Sequence, residues 1–187
     1  MQKFVYEYPT KVYFGAGAAK EHLASAVFQY GTNVMLAYGG GSVKKNGIYD
    51  EIKSILEGAG KKVFDFSGIM SNPTYEKIQE GAELAKENHI DFILAVGGGS
   101  VIDCCKIVAA QAKTDEDLWE MEMEKHRFPT AVIPMGAVVT ASGTGAEMNG
   151  GAVITNEEKK IKTGMAAAAP RFAILDPEYT RSVPQMQ

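Results

Sequence analysis

Only two cysteines occur in the 187 residues, and they are neighbours, Cys104 and Cys105. A disulfide scaffold is therefore excluded. Consecutive Cα atoms sit about 3.8 Å apart, below the usual disulfide span of roughly 4.4–6.8 Å. Both read as reduced thiols, and the expected compartment is cytoplasmic. An adjacent pair also lacks the spacing of a metal site. A basic excess is missing too: 19 Lys+Arg stand against 23 Asp+Glu, a net charge of −4. No nucleic-acid partner is expected from that balance. No apolar run reaches the roughly 20 residues of a membrane span, so no membrane partner is expected. Met1 to Tyr13 mixes charge with aromatics and lacks the apolar core of a signal peptide. Histidine is scarce. His22, His89 and His126 lie in charged contexts with no H-x-x-x-H or H-x-x-E spacing. No pair of carboxylates stands out as acid and base. What remains is 45% hydrophobic and 22% charged. That is one globular domain spanning 1–187, too apolar for disorder and large enough for a sizeable core.

Short apolar runs alternate with helical patterns. Phe4–Tyr8 and Lys11–Phe14 read as two short strands split by Pro9. Ala18–Tyr30 is a helix with Leu23, Val27 and Tyr30 on one face. Asn33–Tyr38 is a strand running into Gly39-Gly40-Gly41-Ser42. Ile48–Leu56 is a helix stopped by Gly58-Ala59-Gly60. Lys62–Phe66 is a strand. The turn Ser71-Asn72-Pro73-Thr74 lets Thr74 cap a helix over Tyr75–Asn88. Asp91–Val96 is a strand ending in Gly97-Gly98-Gly99, and Ser100–Lys113 is the helix after it. Thr130–Pro134 reads as a further strand. Gly136–Gly151 is a long Gly/Ala/Ser/Thr segment, and a loop of that length is usually functional. Ala152–Thr155 and Arg171–Leu175 are short strands, with Asn156–Lys160 a polar turn between them. This order implies an α/β fold: a Rossmann-like, mostly parallel sheet with helices on both faces.

Two strands thus end in Gly-Gly-Gly-Ser. In a parallel sheet ligands bind at the carboxyl ends of strands, and glycine lets backbone approach an anion. In the second tract Ser100 begins a helix and Asp103 follows three residues later, a capping-box variant. The free N–H groups of that first turn favour a phosphate. The bland reading is a tight strand-to-helix turn with no ligand. Neither tract has the G-x-G-x-x-G spacing. In the first tract no carboxylate follows Tyr38, while Lys44 and Lys45 follow the glycines. That would suit a ribose 2′-phosphate over a 2′-hydroxyl. The alternative, two solvated surface lysines, stays open. Thr140 to Glu147 offers hydroxyls and glycines, either as a cofactor wall or as a plain surface loop. Ser142 lacks the spacing of a nucleophile elbow.

The motifs F-G-A-G, S-N-P-T, G-G-G-S-V-I-D-C-C-K, T-A-S-G-T-G-A-E-M-N-G-G-A-V-I-T-N and A-I-L-D-P occur in that order along the chain. Together they resemble the iron-containing, or group III, alcohol dehydrogenases, in particular the NADPH-preferring butanol and aldehyde-reducing branch. The resemblance implies a dehydroquinate synthase-like α/β cofactor domain, followed in relatives by an all-helical domain. That second domain holds Fe²⁺ or Zn²⁺ with one Asp and three His. By motif, Gly98, Gly99, Ser100 and Asp103 would bind the pyrophosphate and adjoining ribose. Gly40, Gly41 and Ser42 would line the adenosine end, and Asn72 the adenosine ribose. Thr140, Thr144 and Asn149 would line the adenine and nicotinamide-ribose walls. Lys162 would hydrogen-bond the nicotinamide ribose.

The family pattern through Ile174-Leu175-Asp176-Pro177 leads to the Asp ligand about ten residues beyond Pro184, and the three His later still. The three histidines here match none of them, so no catalytic residue and no metal ligand is assigned. The expectation is a cofactor domain cut near an interdomain boundary, inactive by itself and homodimeric when intact. The implied reaction is hydride transfer between NADP(H), or NAD(H), and a primary alcohol or aldehyde. Rival readings are a glycerol dehydrogenase-like or dehydroquinate synthase-like enzyme, and a catalytically silent nucleotide-binding module.

Overall fold

The computed structural model describes residues 8–181 and 183. Its strands are β1 (Lys11–Phe14), β2 (Asn33–Tyr38), β3 (Lys62–Phe66), β4 (Phe92–Gly97), β5 (Met135–Val139), β6 (Gly151–Asn156), β7 (Ile161–Ala166) and β8 (Phe172–Leu175). Its α-helices are α1 (Ala18–Val27), α2 (Ser42–Lys45), α3 (Ile48–Gly58), α4 (Tyr75–Glu87), α5 (Gly99–Gln111) and α6 (Pro177–Thr180). Six strands form one sheet in the order β1-β8-β5-β4-β2-β3, and every pairing in it is parallel. Strands β6 and β7 form a separate antiparallel hairpin.

The central strands are buried on both faces, which is why NVMLAY, FILAVG and MGAVV read as continuous apolar runs. One core lies between the sheet and α1 and α3, around Leu23, Ile52, Leu56 and Phe92. The other lies on the opposite face under α4 and α5, around Ile78, Ile102, Ile107 and Trp119. Helix α5 packs against α4, the sheet and the hairpin together. That explains why it is apolar nearly all round. The expected α/β architecture, with a parallel sheet and helices on both faces, is what the chain adopts.

Three sequence readings need correction. The segment Thr130–Pro134 expected as a strand is irregular, and the strand is Met135–Val139, whose last four residues lie in the segment read as a loop. Pro134 has no N–H for a ladder, whereas Met135–Val139 pairs with β4 and, over 136–138, with β8 as well. Gly136 was read as the start of that loop. It is a glycine because the Phe172 ring of β8 lies on it: a Cβ there would stand 2.4 Å from Phe172 Cζ. The polar turn at 157–160 does not lead to Arg171–Leu175. It leads to β7, which the sequence reading missed, while β8 inserts between β1 and β5. Ser100 does not cap α5. The helix starts at Gly99 with Gly98 at its N-cap and no side-chain cap. Elsewhere the capping expectation holds, with Thr74 Oγ1 accepting from Lys77 N at 3.3 Å. The strand read at Phe4–Tyr8 lies outside the described residues except for Tyr8, which is irregular. No helix among the described residues is long and apolar enough to cross a membrane.

Candidate functional site

Strand β2 leads next in sequence to β3 on one side of it, and β3 leads to β4 on the other. The sheet therefore has its topological switch between β2 and β4, and the crevice outside those strand ends is where ligands bind in such sheets. Tyr38 of β2 pairs with Val96 of β4, so the two triple-glycine tracts emerge side by side.

Two clefts meet at this point and share Gly99 and Ser100. The first, about 380 Å³, is lined by Gly40 and Ser42 from the first tract, Gly98 from the second, and Thr140 after β5. The second, about 620 Å³, is lined by Asn72, Asp103, Thr144, Asn149 and Lys162. Eleven of the twelve residues expected at the cofactor thus line one continuous depression. Gly41 lines neither cleft. Its φ of 105° marks the left-handed turn into α2, which glycine adopts freely.

The glycines fall into two kinds. Gly97 has a packing reason: a Cβ would stand 2.6 Å from Val101 Cγ2. Gly40, Gly98 and Gly99 have none. A Cβ on Gly40 meets nothing within 4 Å, and one on Gly98 meets only Ala141, at 3.5 Å. On Gly99 the nearest atom is Thr144 Oγ1 at 3.4 Å. None of the three has the positive φ that would demand glycine. The fold has room for side chains there, and each would project into the cleft. Helix α5 also aims its unsatisfied N–H groups into this space.

The second cleft is braced by polar bonds. Lys162 Nζ on β7 donates to Asn72 Oδ1 at 2.6 Å across its mouth. Asp103 Oδ2 accepts from Val153 N at 3.0 Å. Beneath the wall, the Lys106 side chain is fully buried. Its Nζ donates to Gly151 O at 2.6 Å, Asn149 Oδ1 at 3.0 Å and Asp103 Oδ1 at 3.4 Å. Burial holds the Lys106 pKa below its ordinary value, with the Asp103 charge opposing that shift. Sequence reasoning missed Lys106. The available signal was a cation midway along a largely apolar helix, one turn after Asp103.

The two lysines of the first tract are placed differently from each other. Lys44 Nζ lies 5.0 Å from the Tyr38 ring centroid and 4.5 Å from that of Tyr49, a cation–π position. Neither Lys44 nor Lys45 lines the clefts, and Lys45 is exposed. His22 stacks on Tyr13 at 4.6 Å, while His89 and His126 occupy left-handed turn positions. Among the described residues no group of three or more His, Cys, Asp and Glu side chains could hold a metal ion. These residues therefore do not fit the divalent ion that the resemblance implies.

The family model described as iron-containing alcohol dehydrogenase matches residues 9–177. The chain belongs to that family. Among its dehydrogenase relatives, the probable NADH-dependent butanol dehydrogenase 1 of Bacillus subtilis (strain 168) is 47% identical over 99% of this chain and 48% of its own length. The NADPH-dependent aldehyde reductase YqhD of Escherichia coli (strain K12) is 38% identical over the whole chain and 48% of its own. The crystal structure of NADH-dependent butanol dehydrogenase A from Thermotoga maritima superposes with a TM-score of 0.92 at 38% identity, covering all of this chain and 47% of that one. The chain spans about half the length of the relatives it matches.

Proposed function

We propose that residues 1–187 form the dinucleotide-binding part of a dehydrogenase that moves hydride between a nicotinamide dinucleotide and a primary alcohol or aldehyde. One observation carries this reading: Gly40, Gly98 and Gly99 have no packing or backbone need to be glycine, yet all three line the crevice at the strand switch. A pyrophosphate seated on the Gly98–Ser100 turn would receive the N–H groups at the start of α5. The adenosine would extend toward Gly40 and Ser42, and the nicotinamide ribose toward Asn149 and Lys162. When bound, the nicotinamide ring supplies or takes the hydride. This chain's residues bind and orient it and keep its face against the hairpin wall. The names of the family relatives, butanol dehydrogenase and aldehyde reductase, support an alcohol/aldehyde substrate.

We assign NADP(H) as the dinucleotide, because Gly39 leaves no carboxylate to receive a ribose 2′-hydroxyl. A second reading, NAD(H), is favoured by Lys44, whose charge is engaged by Tyr38 and Tyr49, and by the NADH-dependent relatives. Calorimetric titration with NADPH and NADH decides between them: tighter NADPH supports the first, equal or tighter NADH the second. Gly39→Asp should then shift the preference toward NADH. Its Cβ would stand 3.2 Å from the Ile69 carbonyl oxygen, so the 68–69 loop must yield by a few tenths of an ångström. Failure of both dinucleotides to bind the unaltered chain would overturn the proposed function.

A further inference from the structure

Lys106 stands out as a charge where the fold does not need one. It sits in the middle of α5 with a fully buried side chain, among residues that are otherwise almost all apolar. Burying an ammonium is costly unless each of its donors is matched. An ammonium has three donors, and here each has an acceptor: Asp103 Oδ1, Asn149 Oδ1 and Gly151 O.

Those acceptors are not scattered. All three belong to the wall of the second cleft. Asn149 continues the chain of bonds. Its Oδ1 also accepts from Gly151 N at 3.0 Å, and its Nδ2 donates to Gly145 O at 3.0 Å. Gly145 has a φ of 71° and follows Thr144, the residue facing Gly99. A line of hydrogen bonds therefore runs from the buried ammonium through Asn149 to the loop opposite the Gly98–Ser100 turn. Asp103 extends the brace on the other side, where its second oxygen holds Val153 N and thereby the first strand of the hairpin.

We propose that Lys106 is the positioning residue of the dinucleotide cleft: through Asn149 and Gly151 it fixes how far the Thr144 loop and the β6–β7 hairpin stand from the Gly98–Ser100 turn. The inference rests on the proposed dinucleotide site. Lys106 does not touch the ligand, since its side chain is buried beneath the wall. It acts by removing freedom from a loop rich in glycine and serine, whose ordering would otherwise be charged against binding. It also accounts for the Asn149 amide orientation, because an ammonium can only be faced by the oxygen.

The test uses the 187-residue chain, with NADPH and NADH as probes. Lys106→Met keeps much of the side-chain length and removes the donors. It should weaken dinucleotide binding at least tenfold by calorimetry. Asn149→Ala should weaken it as well. The double variant should be little worse than the weaker-binding single variant, because both remove the same chain of bonds. A side chain that only stabilised the fold would lower the melting temperature and leave the two effects on affinity additive. That additivity, or wild-type affinity in Lys106→Met, would overturn the proposal.

If Lys106→Met does not fold, the wild type carries the test by NMR. NADPH saturation should shift the Lys106 Nζ signal together with the amides of Thr144 and Gly145. An unmoved Nζ signal beside shifted Gly98 and Ser100 amides would overturn the positioning role alone. Unmoved Gly98 and Ser100 amides would overturn the dinucleotide site itself.

Discussion

Lys162 Nζ and Asn72 Oδ1 meet at 2.6 Å, although 90 residues separate them in sequence. Asn72 lies in the turn before α4, in a left-handed conformation at φ 56° that asparagine accepts more readily than most residues. Lys162 is the second residue of β7. The bond closes the mouth of the second cleft, and the hairpin is docked on the same turn through Thr155 N and Pro73 O at 3.0 Å. Lys162→Met should therefore weaken NADPH binding about tenfold, or roughly 1.4 kcal/mol. Because the bond is solvent-exposed, its loss should cost the fold about 1 kcal/mol or less. Calorimetry and a thermal melt read the two effects separately. An unchanged affinity would remove Lys162 from the site.

The two kinds of glycine predict opposite outcomes. Gly98 has φ −86° and ψ −171°, extended backbone open to any residue. Gly98→Val should fold with a near-normal melt and lose NADPH binding, since its branched side chain enters the cleft. Gly97→Ala should instead destabilise by about 1–3 kcal/mol, because its Cβ meets Val101 at 2.6 Å. Normal NADPH binding by Gly98→Val would make the turn purely structural.

The thiols should be silent in the folded protein. Burial pushes Cys104 from 9.0 up to about 12 and Cys105 well above its ordinary value. Neither is exposed or ionised near neutrality, so a disulfide reagent at about pH 8 should label neither until denaturant is added. The raised folded pKa also sets a direction for stability. The unfolded chain loses these protons first, so the contribution is complete below pH 9 and is lost as pH rises toward 12. Melting temperatures across that window should fall, and less steeply in Cys104→Ala. Rapid labelling of two thiols in the native protein would contradict the buried placement.

Amide exchange should divide the segment that the sequence presents as one loop. Residues 135–139 form β5, with 136–138 paired on both edges, and should exchange as slowly as β2 and β4. The stretch from Thr140 to Gly150 has few backbone ladder bonds and should exchange fast. NADPH should slow that stretch selectively, because a ligand stabilises only the conformation it contacts. Uniform protection from 135 to 150, unchanged by NADPH, would count against a mobile cofactor wall.

The architecture was legible because burial leaves a mark in composition. Asn33–Tyr38 and Asp91–Val96 are apolar on both faces, as only central strands are, and Ile52 and Leu56 recur on one face of α3. The glycine tracts were legible as candidate phosphate sites because of where they follow strands. Local pattern failed where a residue answers to a distant partner. Gly136 was read as part of a loop and is a strand residue shaped by Phe172, and Lys106, which drew no reading from the sequence, is a buried brace.

The residues by themselves determined that a parallel α/β sheet forms, that its thiols stay apart from disulfide chemistry, and that two glycine tracts end strands. Those properties follow from hydrophobic period, spacing and backbone sterics, which act within a few residues. The tertiary structure alone decided that the two tracts lie side by side. Strand order places β2 against β4, and no local interaction encodes which strands become neighbours. It also decided which glycines are needed for packing and which are left open at the cleft, because that depends on neighbouring atoms that only the folded chain brings close. The same holds for Lys106 and Lys162: Lys106 reaches Asn149 and Gly151, and Lys162 reaches Asn72, acceptors more than 40 residues away that only the folded chain brings within hydrogen-bond reach.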